Sequence, residues 1–230
     1  MRAAMRSWCW ALISAALWAG AAASAPPARI ELTYQLTRNG LLIGEVHWRL
    51  EHDGRTYRIT ETGKGRGILA LRGTTTRSSE GTVTPDGLRP LRFIDERSGR
   101  ARARADFDWQ AKTVTTQYKG EPRTEPLPPH AHDRLTFLFD FAFAPPDRSK
   151  VAFELFDGRG QSHHVYAADG SERVTTPAGT FHARRFVRAK DKDRTELWLA
   201  HELGALPVRI LVSEEDGTRY EQVAIKTSSP

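Results

Sequence analysis

Residues 130–146 read HAHDRLTFLFDFAFAPP, and this stretch differs in pattern from the short strand-like runs on either side of it. Asp133 is a suitable helix cap, because its side chain can accept hydrogen bonds from backbone N–H groups two or three residues later. Pro145 and Pro146 prevent a helix from continuing beyond Ala144. The stretch therefore predicts one short helix that begins near Asp133 and ends at Ala144.

Between these signals the segment is almost entirely leucine and phenylalanine, with Thr136 and Asp140, four residues apart, as its polar line. A helix with so narrow a polar line must be mostly buried. The apolar residues also alternate with a period of two, so periodicity alone is compatible with a helix and with a strand. In either form the segment belongs to the core. We expect it to plug the mouth of a curved antiparallel sheet or to lie inside that sheet.

The rest of the chain consists of alternating apolar and polar runs separated by turn residues. For example, Asn39-Gly40 separates residues 30–37 from residues 41–51, as in a tight hairpin. About twelve strand candidates follow one another in this way, whereas the proline-rich residues 119–129 form an extended cross-over that cannot pair as a central strand. The pattern predicts a mainly β fold: a single curled antiparallel sheet, as an open barrel or β-spiral, with one short buried helix.

The last third of the chain is again a series of hairpins. One of them joins residues 195–200 to residues 206–213. We expect Trp198 on the inward face of the sheet, with Leu206 and Val208 opposite it across this hairpin.

The first 25 residues have the pattern of a targeting segment. Arg2 and Arg6 precede an apolar run over residues 8–17, and the small residues at 23–25 form a cleavage motif. We expect residues 1–25 to be a signal peptide that directs the chain to the periplasm. An uncleaved anchor is the alternative, which the shortness of the apolar run disfavours.

The mature chain is expected to be residues 26–230, one β-barrel-like domain with no transmembrane segment. Cys9, the only cysteine, lies in the segment to be removed, so the mature chain has no thiolate nucleophile and no disulfide. Loss of two arginines lowers the formal net charge from +6 to +4. Such a chain is compatible with contact to anionic lipid headgroups, but it lacks the clustered basic face that nucleic-acid binding requires.

Four short phrases carry a family resemblance: GLLIGE at 40–45, TPDGLRP at 84–90, TPAGTF at 176–181, and ELWL at 196–199 followed by LGALPVR at 203–209. Together they resemble the bacterial exported family called domain of unknown function 3108. The resemblance implies a periplasmic β-barrel or β-spiral and favours a helix after Asp133. The fold that it implies is similar in outline to those of envelope-integrity proteins and lipoprotein carriers with open barrels. It implies no chemistry, because the family has no agreed activity or catalytic residues.

The residues themselves offer little for catalysis or metal binding. His130, His132 and Asp133 form part of a metal-binding run, but further ligands would have to come from elsewhere and Asp133 already serves as a cap. His163 and His164 are adjacent on a strand, so they point to opposite faces and cannot chelate one ion together. We expect no metal site and no cofactor.

Two further motifs were weighed for chemistry. Residues 63–67, GKGRG, can form a backbone nest for an anion, but a mobile hairpin end fits better because the stretch does not lie between a strand and a helix. No Gly-x-Ser-x-Gly elbow occurs. We expect a non-enzymatic protein without catalytic residues, and an uncharacterised hydrolase assembled from distant strands is an alternative.

Two functions of different class remain. In the first, the curled sheet binds a lipid or another apolar ligand, with Trp48, Phe107, Phe137 and Phe141 as candidate lining residues. In the second, the protein is an interaction or scaffold module in envelope maintenance, and an exposed strand edge or loop meets a periplasmic protein partner. A solvent-extractable ligand in protein purified from the periplasm would distinguish them.

Overall fold

The computed structural model describes residues 26–144, 149–190 and 192–228. The signal peptide predicted at residues 1–25 and the Pro145-Pro146 stop lie outside these ranges. Within them the chain forms one sheet of fifteen strands, one α-helix and two short 3-10 helices. No helix in the described ranges is long and apolar enough to cross a membrane.

The strands in the first half of the chain are β1 (Arg29–Arg38), β2 (Leu41–His52), β3 (Thr56–Gly65), β4 (Thr75–Thr84), β5 (Gly87–Arg97), β6 (Arg100–Asp108), β7 (Thr113–Tyr118) and β8 (Arg123–Pro126). Those in the second half are β9 (Ala131–Asp133), β10 (Lys150–Phe156), β11 (Gln161–Thr176), β12 (Gly179–Lys190), β13 (Asp193–Ala200), β14 (Leu206–Ser213) and β15 (Arg219–Ser228). The helix α1 (Thr136–Phe143) lies between β9 and β10, and the 3-10 helices span Gly67–Arg72 and His201–Leu203.

The first and last strands meet in the middle of the sheet. β1 pairs with β2 on one side and, antiparallel, with β15 on the other. From this pair the sheet runs outward to β8 at one edge and to β9 at the other. In the described part of the chain these two edges do not pair with each other, so the sheet is curled but not closed.

The predicted fold class is therefore confirmed, with fifteen strands instead of about twelve. The proline-rich cross-over contains β8, which is possible because an edge strand needs backbone donors on one side only. β9 has three residues, too few for a strand pattern to show, and it pairs parallel with β10.

The two halves of the sheet overlap near the β10–β11 turn. The Arg159 guanidinium in this turn lies 3.4 Å from the Asp95 carboxylate on β5. The rings of Phe107 on β6 and Phe156 on β10 pack at 6.0 Å between centroids. The curled sheet therefore brings its two halves into contact, although its edge strands β8 and β9 do not pair with each other in the described ranges.

The aromatic segment is a helix, and it lies inside the curled sheet. Seven of its eight residues are buried. Phe139 packs against Trp48 at 5.6 Å between ring centroids, and Phe141 packs against Phe153 at 5.5 Å. The polar line of the helix is buried as well, and it meets polar partners instead of solvent.

Trp198 lies on the opposite face of the sheet from the one expected, so that prediction is wrong. Its neighbour Leu197 pairs with Ile210, and both line the interior. Trp198 pairs with Arg209, whose guanidinium lies 4.5 Å from the ring centroid, and its indole N–H donates to Glu172 at 2.7 Å. The ring is nevertheless buried, because long charged side chains cover it. Because both faces of β13 are buried, the sequence pattern does not show which face points inward.

Candidate functional site

Asp133 holds the turn that leads into α1. Its Oδ1 accepts hydrogen bonds from the backbone N–H groups of Leu135 at 2.7 Å and Thr136 at 2.9 Å. These are the predicted donor positions, but the helix begins at Thr136 and its N-cap is Leu135, which makes no side-chain cap hydrogen bond. Asp133 therefore holds the turn before the helix and is not the N-cap that the sequence had predicted. Arg134 lies inside this turn, so its backbone is held on both sides while its side chain reaches the interior of the sheet.

The second carboxylate oxygen of Asp133 connects the turn to the wall of the sheet. Ser79 on β4 donates to Oδ2 at 2.5 Å, and the Tyr57 hydroxyl on β3 contacts the Ser79 hydroxyl at 3.1 Å. Burial raises the pKa of Asp133 to about 6, although its hydrogen bonds act in the opposite direction. The Ser79 hydroxyl is hydrogen-bonded on both sides, to the Asp133 carboxyl group and to the Tyr57 phenol. We therefore interpret this network as a structural one that fixes the start of the helix against the sheet.

The polar line of α1 meets the turn between β4 and β5. Asp140 Oδ1 accepts a hydrogen bond from the Leu88 N–H at 2.6 Å. Gly87 has a φ of +115°, and a Cβ on it would lie 2.1 Å from the same oxygen. This turn therefore needs glycine for its backbone conformation and for space. We call Gly87, Leu88, His132 and Asp140 the Asp140 junction.

The Asp140 junction contains two titratable groups, and burial shifts their pKa values in opposite directions. His132 Nε2 lies 3.8 Å from Asp140 Oδ2. Burial raises the pKa of Asp140 to about 7, with the Leu88 N–H acting against it, and lowers the pKa of His132 to about 4. Between these two values the neutral forms predominate, so the contact is not an ion pair there.

A depression of about 330 Å³ borders His132 on its other side, and Arg89, Trp109 and Lys112 contribute to its lining. The Arg89 guanidinium stacks at 4.9 Å from the Trp109 ring centroid. The indole N–H of Trp109 donates to the Pro90 carbonyl at 2.7 Å. The Trp109 ring that lines this depression is thus already in contact with Arg89 and Pro90. We therefore place the candidate site in the interior of the sheet instead.

The interior contains a cavity of about 350 Å³ beside α1, which we call the apolar lobe. Its main walls are large apolar side chains from the helix and five strands: Trp48, Phe137, Leu155, Tyr166, Leu197 and Ile210. Ligand pockets have volumes of roughly 300–1,000 Å³, so this space is large enough for part of a small amphiphile. Its polar lining residues are Glu61, Arg134, Asp157, Ser162, His164, Arg188, Thr195 and Gln222.

A second space of about 490 Å³ adjoins the first and shares four lining residues with it: Glu61, Arg134, Val212 and Gln222. We call it the basic lobe. Its basic lining residues are Lys64, Arg72, Arg77, Arg97 and Arg134, and its acidic ones are Glu45, Glu61 and Glu214. Arg134 therefore lies at the boundary between a space with large apolar walls and a space whose charged lining residues are mostly basic.

The structure brings two of the four predicted ligand-binding residues together. Trp48 and Phe137 both line the apolar lobe. Phe141 packs into the core against Phe186 at 5.9 Å between ring centroids, and Phe107 lies in the overlap of the sheet ends. Ligand binding by any of the four stays a prediction, and of these four only Trp48 and Phe137 line the apolar lobe.

The GKGRG stretch lies at the end of the β3–β4 hairpin, as predicted: Gly63 pairs with Thr75 of β4, residues 63–65 complete β3, and a 3-10 helix in the connection follows. Gly63, Lys64 and Gly65 line the basic lobe. The two adjacent histidines point to opposite faces as predicted: His163 pairs with Glu154 on the outside at 2.6 Å, and His164 lines the apolar lobe. In the described ranges, no three His, Cys, Asp or Glu side chains converge as a metal site would require.

The polar residues of the two lobes were not predicted from the sequence. Arg134 carried an available signal, since it is a full charge within a segment that is otherwise core. Arg188 and Gln222 carried none, because both lie in ordinary alternating strands whose inward face is not evident from the sequence.

Comparison with known proteins identifies a family and a fold. No curated protein matches this chain. A β-barrel-like protein of the domain of unknown function DUF1849 from Brucella abortus shares the fold, with a TM-score of 0.56 and 11% sequence identity over 89% of this chain and 98% of that one. A candidate exported protein of YmcC-like fold from Bacteroides fragilis gives a TM-score of 0.40 at 10% identity over 89% and 97%. A candidate lipoprotein from Parabacteroides distasonis gives 0.37 at 10% identity with the same coverage.

The phrases that suggested a family all fall within the region that a family model matches. That model, described as a protein of unknown function (DUF3108), covers residues 32–223. This range contains the helix, the Asp140 junction and the lining residues of both lobes. The chain therefore belongs to the DUF3108 family.

Proposed function

We propose that this protein is a non-enzymatic component of the cell envelope, located in the periplasm, that binds a lipid or another amphiphile inside its curled sheet. The observation that carries the proposal is the apolar lobe, an unfilled space between a buried helix and large apolar side chains. Protein interiors are normally close-packed, and side chains that line a void lack contacts on one side. An apolar ligand in the lobe would supply those contacts.

Two other features support the proposal. The arginine-flanked apolar run and the small-residue motif at the start of the chain are typical of an exported protein. Ser162 and Arg134, two lining residues of the apolar lobe, are exposed to solvent, so a ligand can reach the lobe without the loss of strand pairing.

The edge strand β8 favours a second candidate function. Three of its four residues are exposed, so it presents unpaired backbone groups to solvent. A strand from another periplasmic protein can extend such an edge by β-augmentation. In that case the protein is an interaction module, and its interior serves only as a core.

A pair of neighbouring substitutions tests the first proposal. Ser162 and Gln161 are both exposed on β11 and point to opposite faces, and only Ser162 lines the apolar lobe. We expect the wild type to bind a fluorescent fatty acid. Ser162→Trp should weaken this binding by about tenfold or more because the indole fills the lobe, whereas Gln161→Trp should bind as the wild type does.

The readout is the fluorescence of the fatty acid during titration, with thermal melting to show that both variants are folded. Equal binding by the two variants would place the probe outside the apolar lobe. A wild type that takes up no probe at concentrations well above micromolar would overturn the proposal and favour the interaction module.

A further inference from the structure

Arg134 places a guanidinium at the boundary of the apolar and basic lobes. It forms no hydrogen bond or ion pair with any other residue in the described ranges. Its side chain is exposed to solvent, yet the protein around it desolvates it enough to lower its pKa. A position on the wall of a cavity that is open to solvent explains both observations.

The carboxylates that interact electrostatically with Arg134 each have another partner. Glu61 is bonded to the Arg77 guanidinium, which also lies 3.6 Å from Asp95. Asp157 pairs with Arg159 at 3.1 Å. The charge of Arg134 is thus balanced at a distance but not contacted, which leaves its five N–H donors available to a ligand.

The surroundings of Arg134 favour an anion. The two lobes together are lined by six basic and four acidic side chains, when the shared residues are counted once. A concave site with an excess of one sign of charge concentrates ligands of the opposite sign.

Two further polar atoms on the wall of the apolar lobe are unused. Arg188 Nε and Gln222 Oε1 are buried and have no hydrogen-bond partner among the described residues. Buried polar groups in proteins are nearly always hydrogen-bonded, so such atoms indicate a place for water or for the polar end of a ligand. Both lie in the same lining as Arg134.

We propose that Arg134 binds the anionic end of an amphiphile, a carboxylate or a phosphate, whose apolar part occupies the apolar lobe. This inference rests on the proposed function and adds the class and the orientation of the ligand. The apolar part lies against Trp48 and Phe137, and any larger head group extends into the basic lobe. Asp133 holds the turn around Arg134, so little ordering of the backbone is needed on binding.

The test compares ligands that differ only in charge. Dodecanoate and dodecanol share one apolar chain, and at about pH 8 the carboxylate is ionised. We expect the wild type to bind dodecanoate about tenfold more tightly than dodecanol, as measured by calorimetric titration, because a charge-assisted hydrogen bond contributes that much. Arg134→Gln should lose this preference and keep its affinity for dodecanol.

Two control variants isolate the role of the guanidinium. Arg102→Gln removes an exposed arginine on β6 outside both lobes, so it should retain the full preference for dodecanoate. Arg134→Lys keeps the positive charge and should retain part of the preference. If Arg134→Gln fails to fold, the Lys variant and the two wild-type affinities still decide the question.

The outcomes separate this inference from the proposed function. Equal binding of dodecanoate and dodecanol by the wild type would overturn the inference and leave the proposed function intact, whereas binding of neither would overturn the proposed function. Loss of both ligands by a folded Arg134→Gln protein would overturn the charge assignment. Dodecyl phosphate should compete with dodecanoate and inorganic phosphate should not, and equal competition by the two would show a free-anion site and contradict the inference.

Discussion

The helix α1 is tightly packed against the sheet at the Asp140 junction, whereas at the apolar lobe it borders an unfilled space. At the junction, a carboxylate oxygen accepts a backbone N–H at 2.6 Å, and the neighbouring glycine has no room for a methyl group. At the lobe, about 350 Å³ stays unfilled beside Phe137. Since close packing is the rule in protein interiors, the contrast suggests that the first contact stabilises the fold and the second leaves room for a ligand.

The largest expected effect comes from the phenylalanines of α1. Phe141 is 2% exposed and packs against Phe153 and Phe186, away from the lobe. Phe141→Ala should lower the free energy of unfolding by about 4 kcal/mol, as deletion of a buried aromatic does, and leave the ligand affinity of the folded protein unchanged. Urea unfolding and titration with a fluorescent fatty acid measure the two quantities.

Phe137→Ala sharpens the same comparison. It should cost less stability, about 3 kcal/mol, because the lobe already deprives one side of this ring of contacts. It should also weaken binding of the fluorescent fatty acid, because it removes a wall of the lobe. Equal changes in stability and affinity for Phe137→Ala and Phe141→Ala would contradict the division between core and lobe.

The next effect concerns the closed contact itself. Gly87→Ala should lower the free energy of unfolding by about 3 kcal/mol, because the methyl group meets Asp140 and the backbone has a positive φ. Gly99 is a matched control, with a φ of +74° and no atom within 4 Å of an added methyl group, and Gly99→Ala should cost only about 1 kcal/mol. Similar losses in both variants would mean that the junction is not tightly packed.

The carboxyl group of Asp140 should make stability depend on pH. Its folded pKa of about 7 exceeds the ordinary aspartate value of about 4. Between these values the folded state binds more protons than the unfolded state, so this contribution is present at low pH and is lost as the pH rises through 7. Asp140→Asn keeps an acceptor for the Leu88 N–H and removes the titration.

We therefore expect Asp140→Asn to gain on the order of 2 kcal/mol of stability relative to the wild type between about pH 5 and pH 8. His132 acts with the opposite sign, because its pKa is lowered to about 4 and its contribution increases as the pH rises. Since both proteins contain His132, the comparison largely removes that contribution. A constant difference between the two proteins over this range would contradict the burial of an ionisable carboxyl group at the junction.

The Asp140 junction was more predictable from the sequence than the apolar lobe. The polar turn at Asp133, the helix after it and the turn at residues 84–87 are local features that the sequence identified, although the helix N-cap is Leu135 and not Asp133. The partner of Asp140 was not predictable, because Leu88 lies 52 residues away in the chain. Local turn chemistry reveals hairpins but does not reveal which distant turn meets a helix.

The open region depends on features that local patterns do not contain. The apolar lobe combines Trp48 on β2 with Leu197 on β13 and Ile210 on β14, and it depends on the pairing of β1 with β15. The wrong assignment of Trp198 has the same origin, since β13 is buried on both faces and alternation cannot show which face is inward. Only the spatial arrangement shows that Trp48 and Phe137 share a cavity and that Phe107 and Phe141 lie outside it.

The most direct test of the central claim is extraction of a ligand from the protein itself. Wild type and Ser162→Trp would be purified from the periplasm without detergent, extracted with organic solvent and analysed by mass spectrometry, with Gln161→Trp as the control. We predict that wild type and Gln161→Trp carry an amphiphile of one chemical class in an amount comparable to the protein, and that Ser162→Trp carries far less. Absence of any amphiphile from wild type, or equal amounts in all three proteins, would contradict the claim that the apolar lobe is a binding site.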